Sequence, residues 1–212
     1  MMKNLKTEFL GFSQSYQWYT GQPLSILDSG ILGLIRFALN PSVGFKSANT
    51  FLKAMPLIEN WQAKFRFGGD LSGWKDIEYD GWNSPISHGV RYEPDEIERV
   101  IFNISGKKRA PKEWDEDIKS VVSIILSKYK SLSELYLQPV IGSQPVNEKV
   151  RASKNQKNIS EAIERFIKSN TNPKIRLGAI FCVGTTDFSD RVGHLNEMGA
   201  KKANEFLFQF YA

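Results

Sequence analysis

Two carboxylates and an imidazole crowd the C-terminal part of the chain: Asp187 and Asp190 stand seven and four residues before His194. A carboxylate beside an imidazole fixes its tautomer and stabilises its protonated form, which frees the other ring nitrogen to act as a base. Such a base needs a partner to deprotonate. Far upstream, the run Thr-Glu-Phe-Leu-Gly-Phe at residues 7–12 breaks into Ser13-Gln14-Ser15. A serine hydroxyl becomes a nucleophile only when a base stands next to it. Serine in a turn is commonplace, whereas a histidine at a helix entry preceded by two carboxylates is not. The other histidine, His88, has no carboxylate or cysteine at ligand spacing and is given no role. The single cysteine, Cys182, excludes a disulfide framework within the chain and a cysteine-rich metal site. No metal and no organic cofactor is expected.

The elements that must position these groups alternate. Residues 7–12 read as a buried strand. Residues 24–39 read as an apolar helix, and residues 51–61 as a second apolar stretch broken at Pro56. Residues 64–67 alternate as a strand does. Residues 99–104 form a strand that ends in Ser105-Gly106. The helix that follows takes Pro111 in its first turn, where no amide partner is needed. Its stripe is Trp114, Ile118, Val121, Val122, Ile125 and Tyr129. Residues 135–141 are a strand with Gly142-Ser143 at its end. Ile159, Ala162, Ile163, Phe166 and Ile167 mark another amphipathic helix. Residues 175–183 read as the last strand. Asn196 then caps a final helix whose apolar residues are Met198, Ala203, Phe206, Leu207 and Phe210.

Strands alternating with helices at this spacing predict βαβ units and a parallel sheet. The expected fold class is α/β: one domain over residues 1–212, a three-layer α/β/α sandwich around a central parallel, flavodoxin-like sheet. Residues 68–94, rich in Gly, Asp, Trp and Asn, are expected as an ordered loop or insertion, since long connections in a compact domain usually carry function. The strand C-ends would bring Ser13 to Ser15, Ser105-Gly106, Gly142-Ser143 and residues 184–194 to one sheet edge, where ligands of such sheets bind.

Composition narrows the class. Of 212 residues, 41% are hydrophobic and 12% aromatic, enough for a core and against disorder. The net charge of +5, from 28 basic and 23 acidic residues, is mild. The basic residues are spread, with a local excess at Lys149, Arg151, Lys154 and Lys157. They lack the aromatic interleaving of single-strand binders, so no nucleic acid is expected. No apolar run reaches the length of a membrane span. Residues 1–8 lack the pattern of a signal peptide, so a cytoplasmic location is expected.

Asp190-Arg-Val-Gly-His194-Leu-Asn-Glu-Met-Gly199-Ala200 resembles the last block of the SGNH (GDSL-type) hydrolases, in which an Asp precedes the catalytic His and a glycine-containing helix follows. Gly11-Phe-Ser-Gln-Ser15 resembles their nucleophile block, written Gly-Asp-Ser or, in carbohydrate-esterase members, Gly-Gln-Ser. The order also matches: serine near the N-terminus, acid and base at the far end, βα units between. The resemblance implies a serine esterase that removes an acyl group, specifically acetyl, from a carbohydrate or small ester, without cofactor. It implies Ser15 as nucleophile through Gln14-Ser15, or Ser13 through Gly11-Phe-Ser13. It implies His194 as base and Asp190, or Asp187, as its acid. A third alignment through Gly21-Gln-Pro-Leu-Ser25 puts Pro23 at the nucleophile and implies an inactive protein. Oxyanion donors are expected from the nucleophile's amide and from Gly81 and Gly106. Departures are specific: Asp190 is four residues before His194 where the family has three, and no asparagine follows Gly106. The alternative implied by these departures is an inactive binding or regulatory protein on the same fold.

Overall fold

Strand β1 (Thr7–Gly11) is buried along its whole length, because it has a neighbour on each side and apolar layers cover both faces of its sheet. Successive side chains of a strand point to opposite faces. Phe9 accordingly joins one core cluster and Leu10 the other. The computed structural model describes residues 5–24, 60–66, 71–83, 91–107 and 110–211. The helix expected over residues 24–39, most of the stretch at 51–61, Pro23's partner segment from Ser25 onward, and His88 lie outside these.

Among the described residues, β1 is followed by α1 (Ser13–Thr20), β2 (Trp61–Phe65), the short α2 (Leu71–Trp74), β3 (Arg99–Ile104), α3 (Pro111–Lys128) and β4 (Glu134–Pro139). Then come β5 (Gly142–Ser143), α4 (Arg151–Ser169), β6 (Ile175–Leu177), β7 (Cys182–Val183) and α5 (Glu197–Tyr211). Five strands form a sheet in the order β2-β1-β3-β4-β6, parallel throughout, with Leu10 opposite both Lys64 and Phe102. Helices α3 and α4 cover one face; α1 and α5 cover the other. The fold is therefore α/β, with three layers and a flavodoxin-like strand order. In that order the chain reverses its direction of growth between β1 and β3, and a crevice opens outside their carboxyl ends.

Most of the expected elements are present, with four differences. The strand expected at 64–67 lies at Trp61–Phe65, where Lys64 is buried and neutralised by Glu8 at 3.0 Å. Ser13 to Thr20 form a helix instead of a turn. Within the stretch 68–94, the described residues form α2 and a 3-10 turn at Asp80–Asn83. There Trp74 meets Trp82, Phe102 and Phe12 edge to face, at 4.7, 5.5 and 6.1 Å between ring centres. This stretch therefore backs the residue before Ser13. On α5, Ala203 and Leu207 are buried as expected, but Met198 and Phe210 are exposed, and Gly199, Ala200 and Tyr211 complete the buried face.

The fourth difference is that the apolar run 175–183 is two strands. β6 pairs with β4, while β7 pairs only with β5 in a separate two-stranded parallel sheet. Side chains bridge the gap. Gln138 Nε2 donates to the Ala179 carbonyl at 2.5 Å, and the Ala179 amide donates to the Tyr211 hydroxyl at 3.2 Å. That hydroxyl donates in turn to Gln138 Oε1.

Candidate active site

Helix α1 starts where β1 stops. Gly11 must stay small here, since a Cβ on it would lie 2.0 Å from Ser15 Oγ. Phe12 is the N-cap, and its amide donates to Ser15 Oγ at 3.0 Å, so Ser15 is the third helical residue, turned back under the elbow. The Ser15 hydroxyl donates to Asn103 Oδ1 at 2.8 Å, and Asn103 Nδ2 donates to the carbonyls of Gln138 and Pro139. Ser15 is fully buried in this network, which ties the elbow to β3 and β4. Its hydroxyl is directed away from His194. The serine that meets the histidine is Ser13, the first residue of α1, with Oγ 2.7 Å from His194 Nε2. The placement of Ser15 opposite His194, expected from Gln14-Ser15, is thus corrected: a helix that starts at once after the strand presents its first residue at the sheet edge and turns its third inward.

His194 is held by Asp190. Its Nδ1 lies 2.5 Å from Asp190 Oδ2, while Asp190 Oδ1 accepts the amides of Val192, Gly193 and His194 at 2.8, 2.9 and 3.1 Å. Burial by itself would raise the Asp190 pKa. The hydrogen bond and charge of His194, with the Gly193 and His194 amides, outweigh it and bring the carboxyl down to about 2. The fourth residue in the acid–base spacing is absorbed by Gly193, at φ +115, a conformation that favours glycine. Asp187 is elsewhere. It is buried, and its Oδ2 accepts the Gly184 amide at 2.8 Å and Lys202 Nζ at 2.9 Å. Asn196 caps α5 by accepting the Gly199 amide at 3.0 Å.

The loop carrying His194 is fastened from two sides. The first amides of α4, on Arg151 and Ala152, donate to the carbonyls of Arg191 and Val192 at 2.8 and 3.2 Å. From α1, Gln14 Nε2 donates to the Gly193 carbonyl at 2.9 Å, and Gln17 forms two bonds with the Leu195 backbone. Residue types alone gave no sign of these two glutamines or of Asn103. The periodicity of α1, once read as a helix, would have placed Ser13 and Gln17 on one face.

Of the two glycines expected as oxyanion donors, Gly81 sits in the 3-10 turn Asp80–Asn83 against the Tyr79 and Trp74 rings. Gly106 is buried beyond the end of β3, and its carbonyl accepts Asn155 Nδ2 at 3.0 Å. The described bonds of the Ser13–His194–Asp190 chain include neither glycine. Among the described residues no group of three or more His, Cys, Asp or Glu is placed to hold a metal ion. No helix among them is long and apolar enough to cross a membrane.

A serine hydroxyl, an imidazole and a carboxylate in hydrogen-bonded series, at the first turn of a helix and at the carboxyl edge of a parallel sheet, can transfer an acyl group. No family model matches the chain, and no curated protein matches its sequence. Solved structures do. An active-site mutant of a family two carbohydrate esterase from Clostridium thermocellum superposes with a TM-score of 0.51 at 11% identity, covering 98% of this chain and 63% of the esterase. A family two carbohydrate esterase from the same organism, in complex with cellohexaose, superposes with a TM-score of 0.52 at 14% identity, covering 98% of this chain and 64% of that one. The chain thus spans less than two thirds of the length of these proteins. Together with the parallel five-stranded sheet, these matches show that the chain shares the fold of those carbohydrate esterases.

Proposed function

We propose that the chain is a serine esterase that removes an acetyl group from a carbohydrate or similar small ester. The observation that carries this reading is the unbroken series Ser13 Oγ–His194 Nε2 and His194 Nδ1–Asp190 Oδ2, at 2.7 and 2.5 Å. Ser13 is the nucleophile. His194 takes its hydroxyl proton as Oγ bonds to the ester carbonyl carbon. The tetrahedral intermediate collapses by breaking the bond to the alcohol oxygen, and His194 returns the proton to that oxygen. Water, deprotonated by the same nitrogen, then releases acetate from Ser13. Asp190 holds the ring and stabilises its protonated form.

The intermediate's negative oxygen falls to backbone amides. Ser13 occupies the first helical position, where an amide has no partner within the helix and the helix dipole favours negative charge. Gly106 supplies the second donor. It follows β3, the strand adjacent to β1, and Asn155 fixes its carbonyl. Gly81, packed under aromatic rings, is left with the support of that wall. The fold shared with esterases that act on carbohydrate supports the choice of substrate class. The alternative, an inactive binding protein on this fold, is disfavoured by the intact serine–histidine–aspartate series.

Hydrolysis of p-nitrophenyl acetate, and of acetylated oligosaccharides, tests the proposal. Ser13→Ala and His194→Ala are expected to remove activity, and a fluorophosphonate reagent is expected to label Ser13 alone. Unchanged hydrolysis in both variants, or absence of labelling in the wild type, would sink it.

A further inference from the structure

Gln17 lies one helical turn after Ser13 on α1, with no exposed surface. Both ends of its amide are used on one residue: Nε2 donates to the Leu195 carbonyl at 2.5 Å, and Oε1 accepts the Leu195 amide at 2.8 Å. Leu195 is the residue after His194. On the other side of the histidine, Gln14 donates to the Gly193 carbonyl at 2.9 Å, while its Oε1 accepts the Ile141 amide at 2.7 Å. The helix that presents the serine therefore grips the backbone immediately before and immediately after the base.

We infer that Gln17 is a positioning residue that sets the distance between Ser13 Oγ and His194 Nε2. The inference rests on the reading of these two as nucleophile and base. A two-point amide grip fixes orientation as well as separation, which one hydrogen bond cannot do. The loop has further anchors on Asp190, on α4 and on its own earlier backbone, where the Ser189 amide donates to the His194 carbonyl and the Asn196 amide to the Asp187 carbonyl. Those fix the histidine to its acid and to the opposite layer; Gln14 and Gln17 tie it directly to the helix of the serine. Gln17 does so without a third partner, since both its amide atoms go to Leu195, whereas Gln14 also supports Ile141. A packing role alone would be met by an apolar side chain of the same size. Leu195 itself is fully buried, so its backbone groups need partners, and the sequence supplies them from α1.

The test needs a readout that does not depend on turnover. The chain has two histidines, so protein labelled with 15N-histidine reports His194, identified as the signal that Asp190→Asn displaces. In the wild-type background Ser13→Ala removes the bond to Nε2 and shifts that nitrogen. In a Gln17→Met background the same Ser13→Ala change is expected to leave it unmoved. In the single variant Gln17→Met, kcat for p-nitrophenyl acetate is expected to fall about 10- to 100-fold while KM stays within about twofold. Gln17→Glu, which keeps the shape and loses the donor when ionised, is read the same way if the methionine variant does not fold. An undiminished effect of Ser13 on Nε2, with unchanged kcat, overturns the role of Gln17. A wild type in which Ser13 shifts Nε2 but no ester is hydrolysed and no serine is labelled overturns the esterase reading instead, and the nitrogen shift still decides for or against Gln17.

Discussion

The Ser15 hydroxyl donates a hydrogen bond to Asn103 Oδ1 at 2.8 Å, two residues from the serine that faces His194. The two serines near the N-terminus thus divide the work: one is offered to a base, the other ties the elbow beneath it to the neighbouring strands. Ser15→Ala is expected to keep most of the hydrolytic activity while lowering stability by about 1–3 kcal/mol, because the Phe12 amide and Asn103 Oδ1 lose a buried partner. Ser13→Ala is expected to do the reverse. Urea unfolding and p-nitrophenyl acetate hydrolysis, measured side by side, separate the two.

Asp190→Asn preserves an acceptor for the loop amides but takes the negative charge from His194 Nδ1. A loss of kcat of roughly 10⁴-fold is expected. Asp187→Asn weakens the pair with Lys202 and leaves the histidine's contacts intact, so its effect on kcat should stay within about tenfold and its effect on thermal stability should be the larger one. Equal losses of kcat in the two variants would count against Asp190 as the acid.

Acid should expose the same carboxylate. Asp190 has its folded pKa lowered to about 2, below the ordinary value of 3.8. A depressed carboxylate contributes stability above its unfolded pKa and loses it as pH falls through the folded one. Its contribution should therefore disappear between about pH 4 and pH 2. The size is at most about 2 kcal/mol, reduced by solvent since the side chain is 30% exposed. Urea midpoints followed across that window should fall more steeply for the wild type than for Asp190→Asn; parallel curves would contradict the assignment.

Gly193 stands at φ +115, and a Cβ there would lie 2.2 Å from the Ala152 Cβ. Gly193→Ala should push the loop off the start of α4 and move His194 with it. A displacement of about 1 Å can cost about 10²-fold in rate, so a loss of that order is expected, with the far-ultraviolet dichroism retained. Ala152→Gly in the same chain removes the collision but not the backbone strain, and should restore activity in part.

Much of this could be read from residue types because it is local. His194, its partner Asp190 and the Asn196 cap lie within one short segment, and the stripe of α3 follows a helical period from Trp114 to Tyr129. The partner serine was less legible. Gln-Ser and Gly-Phe-Ser both fit a nucleophile block, and the decision between Ser15 and Ser13 depends on where α1 begins. The sequence there, Ser-Gln-Ser-Tyr-Gln-Trp-Tyr-Thr, has no apolar stripe at helical spacing, because every residue after Ser13 is buried, with Gln14, Ser15 and Gln17 hydrogen-bonded inward and Tyr16, Trp18 and Tyr19 packed into the core. The division of residues 175–183 into β6 and β7 was equally hidden. An apolar run looks the same whether its backbone pairs with a strand or with the side chains of Gln138 and Tyr211. Met198 and Phe210 are exposed because the buried face of α5 runs through Ala200, Ala203, Leu207 and Tyr211 and leaves both outside it.

The gap between the two sheets bears on how the molecule meets heat. Ser13 hangs from the five-stranded sheet, while the chain that leads to Asp190 and His194 leaves the two-stranded one. Around Ala179 the joint relies on the Gln138 and Tyr211 side chains, which can rotate away, where a continuous strand ladder could not. On warming, the halves of the site should drift apart while the large sheet is still whole. Activity would then fade, and return on cooling, below the temperature at which the secondary structure melts. Tyr211→Phe, which removes one pin of that joint, should widen the interval between the two temperatures.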